Sequence, residues 1–143
     1  DDTRQCVVAC DKLIPQDGDA TADENSVQCR LRNVLEAVRG GDAEAACAAS
    51  DLNGGDTCGS WCEVYCDLME ANCSDQPVAY ADRAACLDAC AGFNTDGELT
   101  TDMGDNVQCR VNHAGLPALR DPANECGYAA QTSTNYCINV SPI

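Results

Sequence analysis

Residues 60–74 read SWCEVYCDLMEANCS. The cysteines of this stretch are Cys62, Cys66 and Cys73, spaced at i, i+4 and i+11, so a helix would place them on one side. Ser60 is the first residue of the stretch and is a residue type that caps helix N-termini. The pattern predicts a cysteine-bearing helix.

Residues 78–93 read VAYADRAACLDACAGF and predict a second helix, with Cys86 and Cys90 one turn apart. Each helix carries Cys-x3-Cys, and two such helices packed antiparallel can be joined inner to inner and outer to outer. The predicted bridges of this hairpin are Cys66–Cys86 and Cys62–Cys90.

Two sets of five cysteines repeat along the chain, with intervals of 4, 19, 18 and 11 positions in the first set and 4, 19, 17 and 11 in the second. Residues 27–30 and 107–110 both read VQCR. The correspondence predicts an internal duplication: residues 1–58 form a truncated first unit without the 60–74 segment, and residues 59–143 form a complete second unit. The two sets are Cys6, Cys10, Cys29, Cys47, Cys58 and Cys86, Cys90, Cys109, Cys126, Cys137.

The cysteine content indicates how such small units are stabilised, since 13 of the 143 residues are cysteine. Units of this size seldom fold on core burial alone, and disulfides persist in oxidising compartments. We expect a secreted or surface protein, mature as written because it opens on Asp1-Asp2. The disulfide framework predicted for the second unit is Cys62, Cys66, Cys73, Cys86, Cys90, Cys109, Cys126 and Cys137.

The charge balance is strongly acidic, with 24 acidic residues, 8 basic residues and a net charge of −16. This charge disfavours binding to nucleic acid or to an anionic membrane surface, and no apolar run is long enough to insert into a bilayer. Close self-association would need salt, divalent cations or covalent links to offset the repulsion.

Further helices follow acidic, turn-rich loops, so the expected fold is mainly α, small and disulfide-rich, with long acidic loops. In the first unit, an apolar stripe predicts a helix that ends at Gly40-Gly41. In the second unit, Gly115 and Pro117 interrupt the corresponding helix. Residues 43–50 predict a short helix, and residues 131–143 predict coil with room for a short strand. The stripe comprises Val27, Leu31, Val34, Leu35 and Val38.

The second unit follows a fixed order of motifs: Cys-x3-Cys, Cys seven residues later, a second Cys-x3-Cys, a Gly/Asp loop, Asn-Val-Gln-Cys-Arg and His113. This order resembles a cysteine-rich module of secreted and surface proteins from myxobacteria-like bacteria and aquatic microbes. The resemblance covers residues 62–137 well and residues 6–58 in part. That module continues into His-Cys-x-His-Ala, where this chain has Glu125-Cys-Gly-Tyr-Ala, so both of those histidines are absent. The resemblance implies location and fold, and no settled activity.

Disulfides are favoured over metal or haem because each close cysteine pair is Cys-x3-Cys, whereas zinc and haem sites use Cys-x2-Cys. No cofactor is expected. Weak calcium binding by the acidic loops is an open alternative to simple solvation, although the EF-hand order fails at Gly92 and Met103. The carboxylates concerned are Asp17, Asp19 and Asp23 in one loop and Asp96, Asp102 and Asp105 in the other.

His113 is the only histidine, and packing beside Cys109 is favoured over catalysis, so we expect no enzyme. Arg30 and Arg110 follow equivalent cysteines. Each either pairs with a local carboxylate and fixes the loop geometry or lies in solvent.

An odd number of cysteines leaves at least one free or bonded to another chain. The candidates are Cys6, Cys10 and Cys29, because the truncated unit lacks the cysteines of residues 60–74. The leading hypothesis is an extracellular structural or adhesive protein that self-associates as the subunit of a disulfide-stabilised filament or sheath. The alternatives are a monomeric secreted binding module or inhibitor on a stapled helical hairpin, and a truncated unit whose cysteines have simply re-paired.

Overall fold

The computed structural model describes residues 14–98 and 102–139, and the protein is mainly α-helical in these parts. The chain divides into two compact units, unit 1 (Asp1–Val64) and unit 2 (Tyr65–Ile143). The division therefore lies after residue 64, whereas the sequence suggested a boundary after residue 58.

Seven α-helices occur within the described residues, joined by loops and one short 3-10 helix at Gly54–Asp56. The expected mainly α, disulfide-rich class is confirmed. Residues 131–139 contain no strand, and the end of the tail lies outside the described residues. The helices are α1 (Val27–Val38), α2 (Ala43–Ser50), α3 (Trp61–Cys73), α4 (Arg83–Cys90), α5 (Val107–Ala114), α6 (Leu116–Arg120) and α7 (Pro122–Ala129).

Short polar side chains begin several of these helices. Ser60 accepts a hydrogen bond from the backbone N–H of Glu63, which confirms the predicted cap of α3. Asp42 accepts hydrogen bonds from two N–H groups at the start of α2. These caps satisfy amide groups that have no partner within the helix.

Glycine and proline end or interrupt the helices where the sequence predicted. Helix α1 ends at Val38, and Gly40 adopts a left-handed φ of +96° that a side chain would disfavour. In unit 2 the corresponding helix, α5, already ends at Ala114. Gly115 follows it, and Pro117 lies in the first turn of α6. Helix α1 is thus four residues longer than α5, with 12 residues against 8.

Four disulfides link the described helices and loops: Cys29–Cys58 in unit 1 and Cys66–Cys86, Cys73–Cys126 and Cys109–Cys137 in unit 2. The predicted Cys66–Cys86 bridge is confirmed. Cys62 and Cys90 are disulfide-bonded too, and their pairing with each other stays a prediction. The four bridges close loops of 20 to 53 residues. By the chain-entropy model each contributes about 3 to 4 kcal/mol to stability.

The buried interior is built mostly from cystine and small side chains. In unit 1, Cys29, Ala49 and Cys58 form one cluster. In unit 2, Tyr65 is fully buried beside Phe93, and the two rings meet edge to face with centroids 5.6 Å apart. Burial raises the pKa of the Tyr65 hydroxyl. This hydroxyl donates to the carbonyl of Ala129 and is also hydrogen-bonded to the Tyr80 hydroxyl.

The two VQCR segments make the same backbone contacts inside their own units. The N–H of Val27 donates to the carbonyl of Pro15, as that of Val107 does to Asn94. The side-chain amide of Gln28 donates to the Gln16 carbonyl, and that of Gln108 donates to the Thr95 carbonyl. These matched contacts are those that an internal duplication would produce, and the duplication itself stays a prediction.

Arg30 is buried and fixes the surrounding loop of unit 1. Its guanidinium donates to three carbonyls, those of Ser26, Asp51 and Leu52, over 2.7–3.1 Å. The planar guanidinium has five N–H donors and can bind three carbonyls at once. The ammonium of a lysine would not reproduce this geometry. The solvent-exposed alternative is therefore wrong for this residue.

Arg110 repeats the arrangement in unit 2, and its side chain is only 3% exposed. It donates to the carbonyls of Asn106, Ala130 and Gln131. It also pairs with Asp105 at 2.7 Å, so the predicted pairing with a local carboxylate is confirmed here.

Replacement of Arg110 by lysine should lower the free energy of unfolding by about 2 kcal/mol, because lysine leaves buried carbonyls without donors. Urea unfolding of the oxidised protein measures the loss. Arg39→Lys, at an exposed position, is the matched control and should change stability by less than about 0.5 kcal/mol. Equal effects at both positions would contradict the structural role of Arg110.

Candidate functional site

Cys47 is the free cysteine among the described residues, and it is exposed on α2. The sequence had instead suggested Cys29 as free or intersubunit, and that prediction is wrong. Cys29 is fully buried and bonded to Cys58, so its partner lies within unit 1. Cys6 and Cys10, the other two candidates, lie outside the described residues.

The Cys47 thiol lies in an open groove of about 340 Å³ between α1 and α2. We call it the Cys47 groove. Alanine, valine and cysteine side chains form most of its wall, and Ser50 and Asp51 lie at one end. The lining residues are Val34, Ala37, Val38, Ala43, Ala46, Cys47, Ser50 and Asp51.

Two residues of the predicted apolar stripe of α1, Val34 and Val38, line this groove, and most of the stripe faces solvent. Val38 is 79% exposed, Leu31 is 55% exposed, and Val34 and Leu35 are each 43% exposed. Large side chains spaced three and four residues apart on one helix face normally pack against a neighbour. A contiguous exposed patch of this kind is typical of an interaction surface.

The corresponding surface of unit 2 is covered. Leu31, Val34 and Val38 lie 2, 5 and 9 positions after Cys29, as Val111, Ala114 and Ala118 do after Cys109. The exposures of the unit 2 residues are 1%, 0% and 1%. The two positions that lie in the helix after each VQCR segment, Leu31/Val111 and Val34/Ala114, are thus exposed in unit 1 and buried in unit 2, whereas Ala118 lies on the separate helix α6.

The C-terminal end of helix α3 is bonded to α7 and contacts the end of α5. Cys73, its last residue, forms the disulfide with Cys126, and both cysteines are fully buried. The adjacent Asn72 side chain donates at 2.8 Å to the carbonyl of Ala114, which ends α5. Cys126 is the counterpart of Cys47 in the repeated cysteine order. The Cys47 thiol is therefore the position that, in unit 2, binds the end of a helix.

Sequence reasoning missed Cys47 because it treated the closely spaced Cys-x3-Cys pairs and left Cys73 without a partner. The signal was nevertheless available. Once Cys73 is paired with Cys126, the repeated spacing makes Cys47 the cysteine of unit 1 that corresponds to Cys126. Cys29, by contrast, keeps its partner at the equivalent of Cys137.

His113 is buried and bonded on both ring nitrogens. Nδ1 lies 2.6 Å from a carboxylate oxygen of Glu125, and Nε2 lies 3.1 Å from the carbonyl of Asp102. The rings of Tyr128 and Tyr136 contact it with centroids 5.5 and 5.0 Å away. These contacts agree with the packing and hydrogen-bonding role expected for this histidine.

A donor atom of His113 lies within 4.8 Å of the sulfurs of Cys109 and Cys137. Metal binding by cysteine requires a thiolate, and these two sulfurs are bonded to each other. In the oxidised protein this trio therefore lacks the donor chemistry of a zinc site.

Several acidic-loop carboxylates are engaged by protein donors. Asp19 accepts from the N–H and the hydroxyl of Thr21, and this bonding lowers the pKa of Asp19. Asp23 pairs with Arg32, and Asp105 pairs with Arg110. A calcium ion would have to compete with these contacts, and weak calcium binding stays a hypothesis.

The chain was compared with protein-family models, with curated proteins and with solved structures, and nothing matches it. Its function must therefore be argued from the geometry above. Among the described residues, none of the helices combines the length and apolar character that crossing a bilayer requires.

Cys47 should react with iodoacetamide in the native protein without denaturant, because its thiol is free and exposed. Peptide mapping by mass spectrometry identifies the alkylated residue. The ten described cysteines in disulfides should react only after reduction. Native labelling of Cys29 or Cys58 in place of Cys47 would contradict the assigned pairing.

Proposed function

We propose that the protein is a non-enzymatic extracellular structural or adhesive component that is joined to neighbouring chains by disulfide exchange at Cys47. The observation that carries this proposal is the free, exposed thiol beside an uncovered apolar groove. Every other described cysteine is bonded. A free, exposed thiol among described cysteines that are otherwise all bonded is suited to a link outside the unit.

The charge of the chain adds support. At a net charge of −16, copies of the protein repel each other, and noncovalent contacts over a small apolar patch would compete with that repulsion. A disulfide holds its two chains regardless of salt concentration. Assembly into a filament or sheath requires two contacts per chain, of which Cys47 supplies one.

The number of disulfides fits secretion, since cytosolic thiol pools keep cysteines reduced. In an oxidising compartment the framework stays closed while an exposed thiol can still exchange with an incoming disulfide. Secretion into an oxidising compartment is therefore chemically consistent with a disulfide link through Cys47.

A second candidate function is a monomeric secreted binding module. It is favoured by a cleft of about 190 Å³ in unit 2, beside the Cys66–Cys86 bridge. Tyr80, Asp82 and Arg83 line this cleft and offer polar groups of both charges. This function needs no covalent assembly, which separates it from the first proposal.

Self-association is tested by secreting the protein from an oxidising host and running it on gels with and without reductant. We expect a covalent species of at least twice the monomer mass that disappears on reduction. The species should be absent from Cys47→Ser and retained in Ala45→Ser, the matched control on the same helix. A wild-type protein that runs as a monomer and carries the Cys47 thiol would contradict the covalent assembly and favour the monomeric binding module.

A further inference from the structure

In both units, the side chain four positions after the VQCR cysteine lies beside a disulfide. In unit 2 this residue is His113, and one of its ring nitrogens lies within 4.8 Å of the sulfurs of Cys109 and Cys137. In unit 1 it is Asn33, whose amide nitrogen lies 3.2 Å from the sulfur of Cys58. The two units therefore share this arrangement but place different chemical groups in it.

We propose that Cys109, Cys137 and His113 form a zinc site when a dithiol reduces the Cys109–Cys137 disulfide. One dithiol gives up two electrons and two protons and becomes a cyclic disulfide, and the protein bond opens to two thiols. Zinc then displaces the two thiol protons and binds both sulfurs as thiolates, with His113 as the third ligand. This inference concerns unit 2 alone and is independent of the linkage proposed at Cys47.

The positions of the three donor groups suit tetrahedral zinc. Zinc–sulfur and zinc–nitrogen distances of about 2.3 and 2.0 Å place neighbouring ligand atoms about 3.5–3.8 Å apart. The Cα atoms of Cys109 and Cys137 are 5.7 Å apart. Cys137 lies in a segment without helix, so its sulfur can move away from Cys109 without unwinding a helix. All three residues are buried, and the metal would therefore be held inside unit 2.

His113 is held by partners of the kind that metal-bound histidines commonly have. Its two ring nitrogens are bonded to Glu125 at 2.6 Å and to the carbonyl of Asp102 at 3.1 Å. A metal takes one nitrogen and leaves the other on its present partner, and both carboxylates and backbone carbonyls orient histidine ligands in this way. The rings of Tyr128 and Tyr136 pack against the imidazole and restrict its rotation.

Unit 1 carries a group poorly suited to zinc at the corresponding position. The Asn33 amide nitrogen is a donor only, and it donates to the Cys29 carbonyl at 3.0 Å. The guanidinium of Arg32 lies 3.5 Å from the Cys29 sulfur, and its positive charge would oppose a divalent cation. Unit 2 has the uncharged Asn112 at that position. The Cys29–Cys58 disulfide is therefore an internal control for the unit 2 site.

The test measures how zinc shifts the reduction of each disulfide in the full oxidised chain. The protein is equilibrated in mixtures of reduced and oxidised dithiothreitol, with and without free Zn²⁺ held at a fixed concentration by a chelator. After acid quenching the thiols are alkylated, and mass spectrometry gives the reduced fraction of Cys109–Cys137 and of Cys29–Cys58. The readout for each bridge is its reduction constant with zinc divided by that without zinc.

We expect zinc to raise the reduction constant of Cys109–Cys137 at least about tenfold, which corresponds to about 30 mV. The constant of Cys29–Cys58 should change by less than about twofold. His113→Asn, which introduces the residue found in unit 1, should abolish the zinc effect in unit 2. Each ratio is taken within one variant, so a loss of stability from the substitution cancels. Asn112→Ala, on the same helix, is the matched control and should keep the effect.

An equal zinc effect on both bridges would overturn the proposal, because it would show adventitious binding by reduced thiols. A zinc effect that persists in His113→Asn would also overturn it, since the histidine would then not be a ligand. The absence of any zinc effect on Cys109–Cys137 would do the same. None of these results bears on the linkage at Cys47, which the gels with and without reductant test separately.

Discussion

The Cys73–Cys126 disulfide is the interaction on which the organisation of unit 2 depends. It fixes the last residue of α3 against α7, across 53 positions of sequence, and holds Asn72 where it caps the end of α5. Val111, Ala114 and Ala118 are buried in that region, where α5 packs against α6 and α7. In unit 1 the counterpart of Cys126 is Cys47, which carries a free thiol, and the apolar stripe of α1 is exposed.

Disulfides and buried arginines replace the large apolar core that the chain does not have. With one tryptophan, one phenylalanine and four tyrosines, little aromatic surface is available to bury. Cystines fill the interior, while Arg30 and Arg110 collect carbonyls from loops that form no regular structure. A unit held this way tolerates an uncovered apolar face, because its stability does not depend on burying that face.

Local features could be predicted from the sequence because they depend on neighbouring residues. The cap at Ser60, the stop after Val38 and the Cys66–Cys86 staple all follow from spacing of a few residues or from one helix pair. The state of Cys47 could not be predicted in the same way, since it depends on a bond formed by its distant counterpart. The stripe of α1 likewise shows that one face is apolar but not whether the chain supplies a cover for it.

The central claim is that equivalent apolar positions are open in unit 1 and closed in unit 2. Methyl NMR of the oxidised protein with a soluble paramagnetic agent measures this directly, since relaxation enhancement reports solvent access at each methyl group. We predict strong enhancement for Leu31, Val34 and Val38 and almost none for Val111, Ala114 and Ala118. Similar protection of both sets would contradict the claim, because the apolar stripe of α1 would then be covered in the free protein.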